Sequence, residues 1–186
     1  MEALQTPDRG LHLAVALVNT RTHDPEQLVS PAALRRFLLH HGELEPVDVD
    51  AADLAAMIAV RERIRPAFHV PPDAAAALVN DLLAAFAVRP YLSDHDGTAW
   101  HLHATRPDAS WAEWAAATAA LGIATFAAAH GFAALALCAA EDCERVFVNP
   151  APRRVRLFCT PTCASRTRVA SFRARRKGES QEGEQM

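Results

Sequence analysis

The stretch that decides the fold is CAAEDCERVFVNPAPRRVRLFCTPTCASRTRVASFRARRK, which runs from Cys138 to Lys177 in a chain of 186 residues. It contains all four cysteines, in two close pairs that a spacer of fifteen residues separates. Two close pairs with a spacer of this length are typical of a four-cysteine zinc site. The predicted ligands of one structural Zn2+ per chain are Cys138, Cys143, Cys159 and Cys163.

Two other states of the cysteines stay open at this point, namely two disulfide bonds or free buried thiols. The N-terminus carries Glu2 and Asp8 ahead of a short apolar run, without the basic region and small-residue cleavage site of a signal peptide. We therefore expect a cytoplasmic protein, a location in which cysteine clusters bind metals more often than they form disulfides.

The residues between and after the cysteine pairs predict a small ββα module. Arg145–Val148 and Val155–Phe158 are strand-like, and the two prolines of Asn149–Pro152 predict a turn between them. Cys159 and Cys163 bracket the predicted start of a helix, where a spacing of four points their sulfurs the same way. The predicted module consists of a tight turn, or knuckle, at Cys138–Cys143, then a hairpin and a helix, all bound to one ion. This order of elements indicates a treble-clef-like zinc finger.

The helix that follows is strongly basic. From Arg145 to Lys177 there are ten basic residues and no acidic one, while residues 1–137 carry a balance of −7. Such a charge asymmetry indicates contact with nucleic acid. Val169 and Phe172, three residues apart, are expected to pack back onto the hairpin. The candidate DNA contacts flank them: Arg166, Arg168, Arg173, Arg175 and Arg176.

The N-terminal part of the chain, residues 1–137, is predicted to be a mainly helical body with one β-hairpin. The hairpin is predicted from the strand-like stretches on either side of His95-Asp96-Gly97. Helices are expected at Leu11–Thr20, at residues 31–41, from Asp50 to about Phe68, and at Asp73–Val88. Together with the C-terminal module, this makes the fold class α+β.

One stretch, Trp114 to Ala140, is long enough to span a bilayer because it holds 27 residues without a charge. It is mostly alanine, and Glu113 and Glu141 flank it instead of basic residues. We therefore predict a long buried helix, opened by a capping box from Ser110 to Glu113, and expect no membrane contact.

The sequence offers no catalytic constellation. It has no Gly-rich phosphate loop, no nucleophile elbow and no His-Glu-x-x-His helix, so we expect a protein that is not an enzyme. His101 and His103 would share one strand face, but no third ligand accompanies them, and we interpret them as surface histidines. The charged tail, residues 178–186, is predicted to be disordered.

The segment from Cys138 resembles the CGNR zinc-finger family, with which it shares the four cysteines, Phe147, Arg166, Val169 and the arginine run 173–176. It departs from the family's name motif at Ala164 and Ser165, where Gly and Asn are usual. The body is similar to the ABATE-type domain that precedes this finger, in LVNTR, SPAALRRFLLHHG and LVNDLLAAFAVRPYL. The resemblance implies an ABATE-like body at 1–137, a finger at 138–177, and a role among bacterial stress-induced transcription regulators.

We therefore expect a zinc-dependent DNA-binding transcription regulator. Its basic helix contacts DNA, and its body senses a small-molecule effector or forms a homodimer. Two alternatives remain: a structural zinc module for protein–protein contacts, and a redox switch in which thiolate oxidation releases zinc.

Overall fold

The computed structural model describes residues 6–21, 25–41, 46–94, 100–149 and 156–183. Within these ranges the chain forms six α-helices and two antiparallel two-stranded sheets, which confirms the α+β class. In chain order the elements are α1 Thr6–Val18, α2 Pro31–His40, α3 Ala51–Ile64, α4 Pro72–Ala85, β1 Tyr91–Ser93, β2 His101–His103, α5 Trp111–His130, β3 Leu135–Leu137, β4 Val146–Val148 and α6 Pro161–Gly183.

Three helix starts predicted from local sequence are confirmed, whereas α1 begins at Thr6 and not at the predicted Leu11. Ser30 caps α2 by accepting a hydrogen bond from a backbone N–H of the first turn. Reciprocal capping boxes open α3, between Asp50 and Asp53, and α5, between Ser110 and Glu113. Each of these capping contacts joins residues three apart in the chain, so it can form without help from the rest of the fold.

Helix α5 lies at the centre of the body. It is long and apolar enough to cross a membrane by length and composition, but 56% of its most apolar window is buried inside the protein. It packs against α1, α3 and α4. Its closest neighbour is α1, because Gly10 and Gly122 face each other and let the two backbones touch. The burial confirms the interpretation of α5 as a core helix.

The uncharged stretch Trp114–Ala140 is not one helix, and the prediction of a single long helix over it is wrong beyond His130. Helix α5 ends at Gly131, whose φ of +79° is a conformation that glycine adopts without strain. A short 3₁₀ turn and strand β3 follow. Apolar content alone did not distinguish the buried strand from the end of a buried helix.

The first hairpin is confirmed, and the second differs from its prediction. Strands β1 and β2 pair with Leu92 opposite Leu102, while the turn expected at 95–97 lies outside the described residues. Strand β4 pairs with β3, with Phe147 opposite Ala136, and not with the described residues 156–158 of the predicted partner strand Val155–Phe158. Of that segment, the described residues 156–158 are not a strand; the Leu157 carbonyl accepts a hydrogen bond from the N–H of residue 139, at 2.8 Å.

Helix α6 continues to Gly183, beyond the predicted end of the finger at Lys177 and into the segment 178–186 for which the composition predicts disorder. The added residues include Glu and Gln, which are good helix formers.

Candidate metal centre and basic helix

The four predicted ligands meet at one point. All four cysteine sulfurs lie within 4.8 Å of one another. The Sγ atoms of Cys143 and Cys159 are 3.7 Å apart, as are those of Cys159 and Cys163. A tetrahedral ion with metal–sulfur bonds of about 2.3 Å has sulfur–sulfur edges of about 3.8 Å. The arrangement therefore fits a single tetrahedral metal ion.

Cys138 and Cys143 are held by a knuckle that links β3 to β4. The N–H of Cys138 donates to the Arg145 carbonyl at 2.9 Å, which extends the strand pairing by one step. The N–H of Cys143 donates to the Ala140 carbonyl, also at 2.9 Å, and closes the tight turn. Backbone hydrogen bonds thus hold the main chain at both cysteines without the help of a metal ion.

Cys159 and Cys163 bracket the start of α6, as predicted. The backbone N–H of Cys159 donates to the sulfur of Cys138 at 3.4 Å and so links the two cysteine pairs. Thr160 accepts a hydrogen bond from the N–H of Cys163 at 3.2 Å and so caps the helix. Cys163 therefore sits in a helical first turn, where the helix dipole also favours negative charge.

The cluster ionises unevenly in the absence of a cation. A hydrogen bond with the Thr160 side chain lowers the pKa of Cys163 to about 7. Burial raises the pKa of Cys143, and raises that of Cys159 to about 12. Burial thus favours the protonated thiols of Cys143 and Cys159 over Cys163, and a bound cation would compensate the charge of their thiolates.

The β3–β4 hairpin is shared between the metal centre and the body. Ala136 and Phe147 pack with the cysteines on one face. Leu135, Val146 and Val148 pack into the body core on the other face. This is the alternation expected of a strand pair that is covered on both sides. The hairpin also joins residues on either side of the boundary that the sequence suggested between 137 and 138.

Asn19, at the end of α1, fastens this hairpin to the body. Its Nδ2 donates to the carbonyl of Val146 at 2.9 Å, and its Oδ1 accepts from the N–H of Val146 at 2.8 Å. Asn19 is buried, so both bonds form away from water. No local sequence signal indicates this role of Asn19, because its partner lies 127 residues away.

A buried arginine reinforces the same region. Arg61 is 2% exposed, and its guanidinium donates to Glu26 at 2.7 Å and to the Thr20 hydroxyl at 3.0 Å. The hydrogen bond from Arg61 lowers the pKa of Glu26. On the next helical turn Arg65 donates to the carbonyl of Glu144, in the knuckle, at 3.2 Å. The body thus contacts the metal module through side chains that directly follow the ends of α1 and α3.

We expect Asn19→Ala to destabilise the protein by about 2–4 kcal/mol, because two buried backbone groups of Val146 lose their partners. Chemical denaturation of the metal-loaded protein measures this loss. Asn80→Ala is the matched control, since Asn80 is an exposed residue of α4 and its replacement leaves stability unchanged or slightly higher. Equal stability of the two variants would contradict the fastening role of Asn19.

The five candidate DNA-contacting arginines lie on α6, and all are exposed. Arg166 makes a long surface ion pair with Asp142, at 3.7 Å, and Arg168 donates to Ser165 at 3.3 Å. The predicted packing of Val169 and Phe172 onto the hairpin is wrong, because these side chains are 48% and 55% exposed. The body core and the cysteines already cover the two faces of the β3–β4 hairpin. Helix α6 therefore does not pack on this hairpin through Val169 and Phe172, and both side chains stay exposed.

Among the described residues, no third metal ligand joins the paired histidines of the body. The Nε2 atoms of His101 and His103 lie 2.8 Å apart on one strand face, as a hydrogen-bonded pair. In the part of the chain that the structure describes, the four cysteines form a group of at least three side chains that could hold a metal ion.

Comparison with known families agrees with this division of the chain. A family model named ABATE, described as "Putative stress-induced transcription regulator", matches residues 11–141. A second model, the CGNR zinc finger, matches residues 135–176. The two matches overlap over β3 and the knuckle, the elements that body and metal centre share. No curated protein matches the chain.

Proposed function

The chain belongs to the ABATE family, and on that premise we propose that it is a zinc-dependent, DNA-binding transcription regulator. In this proposal the four cysteines hold one structural zinc, α6 contacts DNA, and the body is a non-catalytic sensing or dimerisation unit. The observation that carries the proposal is the exposure of five arginines on a helix whose first turn belongs to the metal centre.

Zinc is the metal that the donor set favours. Four thiolates at tetrahedral spacing are the ligands of structural zinc sites, and the CGNR match supports the same metal. Tetrahedral thiolate sites also suit iron, which absorbs visible light whereas zinc does not. Elemental analysis and the absorption spectrum of the purified protein together distinguish the two metals.

The shape of α6 supports contact with DNA. Arginine binds phosphate and guanine edges through two parallel hydrogen bonds, and a helix fits the major groove. Arg166 and Arg168 lie next to the anchored first turn, so we assign them to base edges. Arg173, Arg175 and Arg176 lie farther along α6, and we assign them to phosphates.

We expect the double variant Arg173→Ala/Arg175→Ala to lower the salt dependence of DNA binding by about two units of log–log slope, because each phosphate contact releases counterions. Fluorescence anisotropy of a labelled duplex across a salt series measures the slope. Arg36→Ala, which removes an exposed arginine of α2 in the body, is the control and leaves the slope unchanged.

The opposite outcome has a definite meaning. If the double variant melts at a lower temperature while DNA affinity and salt slope stay the same, the arginines neutralise the thiolate centre and do not contact nucleic acid. The proposal would then be abandoned for α6.

A protein-binding role for α6 is the second candidate, and the uncovered pair Val169 and Phe172 favours it. The two roles separate at Phe172→Ala. If Phe172→Ala weakens DNA binding and leaves the salt slope unchanged, the result supports an apolar contact with bases. Unchanged DNA binding leaves the apolar pair free for a protein partner.

A further inference from the structure

The body contains a cleft that the proposed DNA-binding surface does not use. It has a volume of about 690 Å3 and lies where the end of α4, strand β1 and the start of α5 meet. This volume is in the range of sites for small organic ligands. Apolar walls are provided by Phe86, Pro90, Tyr91 and Pro107.

Thr105 supplies a hydroxyl group in the lining of the cleft. The residue is 9% exposed. Within the described ranges of the chain, its side-chain hydroxyl makes no hydrogen bond to another protein group. The hydroxyl oxygen of Thr105 is not one of the fully buried, unsatisfied side-chain atoms of the described residues, so it is accessible from the cleft. It can therefore donate a hydrogen bond to an acceptor on a bound ligand.

Two arginines give the cleft a positive rim. Arg89 is exposed, and among the residues that the structure describes its guanidinium has no ion-pair partner. Arg106 contacts Asp108 at 2.9 Å, but both side chains are at least 70% exposed, so the pair contributes little. Both guanidinium groups are therefore available to a carboxylate.

The one acidic residue in the lining is already engaged. Glu113 Oε2 accepts hydrogen bonds from the N–H and the hydroxyl of Ser110, at 2.8 and 3.0 Å. These bonds lower the pKa of Glu113 and tie its charge to the N-terminus of α5. Arg89 is therefore the charged group of the rim for which the described residues supply no carboxylate partner.

The backbone beside the cleft is also unusual. Helix α4 ends in a turn in which the N–H of Val88 donates to the Leu83 carbonyl at 3.1 Å, and Ala87 has a φ of +45°. Glycine usually occupies this position of a helix end, because a side chain strains it. Here the alanine lines the cleft. Such strained positions concentrate at ligand sites.

We propose that this cleft binds a small organic carboxylate with an aromatic or branched apolar group. Arg89 and Arg106 hold the carboxylate, the Thr105 hydroxyl donates a hydrogen bond to it, and the apolar group packs against Phe86 and Tyr91. The role of this ligand as the effector of a regulator rests on the proposed function, whereas its binding does not.

The test uses the full-length, metal-loaded protein and isothermal titration calorimetry with benzoate, phenylacetate and isovalerate. Benzamide is the neutral match of benzoate, and acetate is a carboxylate without an apolar group. We expect at least one of the three larger carboxylates to bind and to raise the melting temperature, while benzamide and acetate do not. Failure of all three at millimolar concentration, or equal binding of benzamide, overturns the proposal.

Variants locate the site. We expect Arg89→Gln and Thr105→Val each to weaken carboxylate binding about tenfold or more, since each removes a hydrogen bond to a charged group. Thr105→Val leaves the free protein as stable as before, because its hydroxyl has no protein partner to lose, and Thr105→Ser retains binding. Arg36→Gln is the surface control. Carboxylate binding that survives Arg89→Gln/Thr105→Val overturns the assignment to this cleft.

DNA binding is measured on the same samples without ligand. Absence of carboxylate binding with DNA binding intact removes only the present inference. Carboxylate binding without DNA binding removes the proposed function and keeps the cleft.

Discussion

Cys159→Ser is expected to reduce the metal content of the purified protein from about one zinc per chain to none, and to unfold the C-terminal module. Serine is a poor zinc ligand, and Cys159 lies in the middle of the cluster, 3.7 Å from two of the other sulfurs. Structural zinc contributes on the order of 10 kcal/mol to the folding of small modules. Elemental analysis measures the metal, and hydrogen exchange measures protection in α6.

The same variant is expected to destabilise the body as well. Val146 lies in the body core, on a strand between two of the ligands. Loss of one such side chain from the core costs about 1.5–3 kcal/mol, which corresponds to a decrease in melting temperature of roughly 3–12 °C. Ser171→Ala, at an exposed position of α6, is the control.

Two results would contradict these expectations. A Cys159→Ser protein that retains stoichiometric zinc would show that the cluster is not the metal site. Wild-type protein purified under reducing conditions with two disulfides and no metal would show that the cysteines serve another purpose. Acidification provides a further check, because protons compete with the metal for thiolates and metal loss should increase as the pH falls.

Gly122→Val is expected to separate the two central helices of the body. A Cβ atom at Gly122 would lie 2.5 Å from the carbonyl carbon of Gly10 and closer still to the N atom of Leu11. Because both are backbone atoms, no side-chain rotation relieves the contact, and α1 must move away from α5. Overpacking of a core costs about 1–3 kcal/mol when side chains can adjust, so we expect a larger loss here.

Thermal unfolding measures this effect, and a decrease of more than about 6 °C is expected. Ala128→Val is the matched control, because it adds the same side chain to an exposed position of the same helix. Its cost is limited to the helix propensity of valine, a few tenths of a kcal/mol. If both variants melt within about 2 °C of the wild type, the close approach of α1 and α5 is not required for the stability of the body.

Features encoded by neighbouring residues were predictable from the sequence. Ser30 with Pro31, and the acidic partners of the capping boxes, determine helix starts without reference to the rest of the fold. The cysteine spacing predicted that four sulfurs meet, because one ion requires all of them at once. This prediction rested on the chemistry of metal binding and did not require the path of the chain, and the structure confirms the cluster.

Features that depend on distant partners were not predictable. Strand β3 is three apolar residues after an apolar helix, and only its pairing with β4 identifies it as a strand. Phe172 has the spacing of a buried residue, yet the surface that would cover it is occupied by other side chains. The cleft at Thr105 combines three segments that no spacing rule connects.

The shared hairpin also constrains how this protein can change during evolution. A finger exchanged at its first cysteine would lose the strand that pairs with β4 and would lack the asparagine at the end of α1 that Val146 requires. A successful exchange must carry residues from about Phe132 onward and must find a matching first helix in the recipient. The two regions are therefore inherited together, and covariation between Asn19 and the residues of β4 is the trace that such joint inheritance should leave in related sequences.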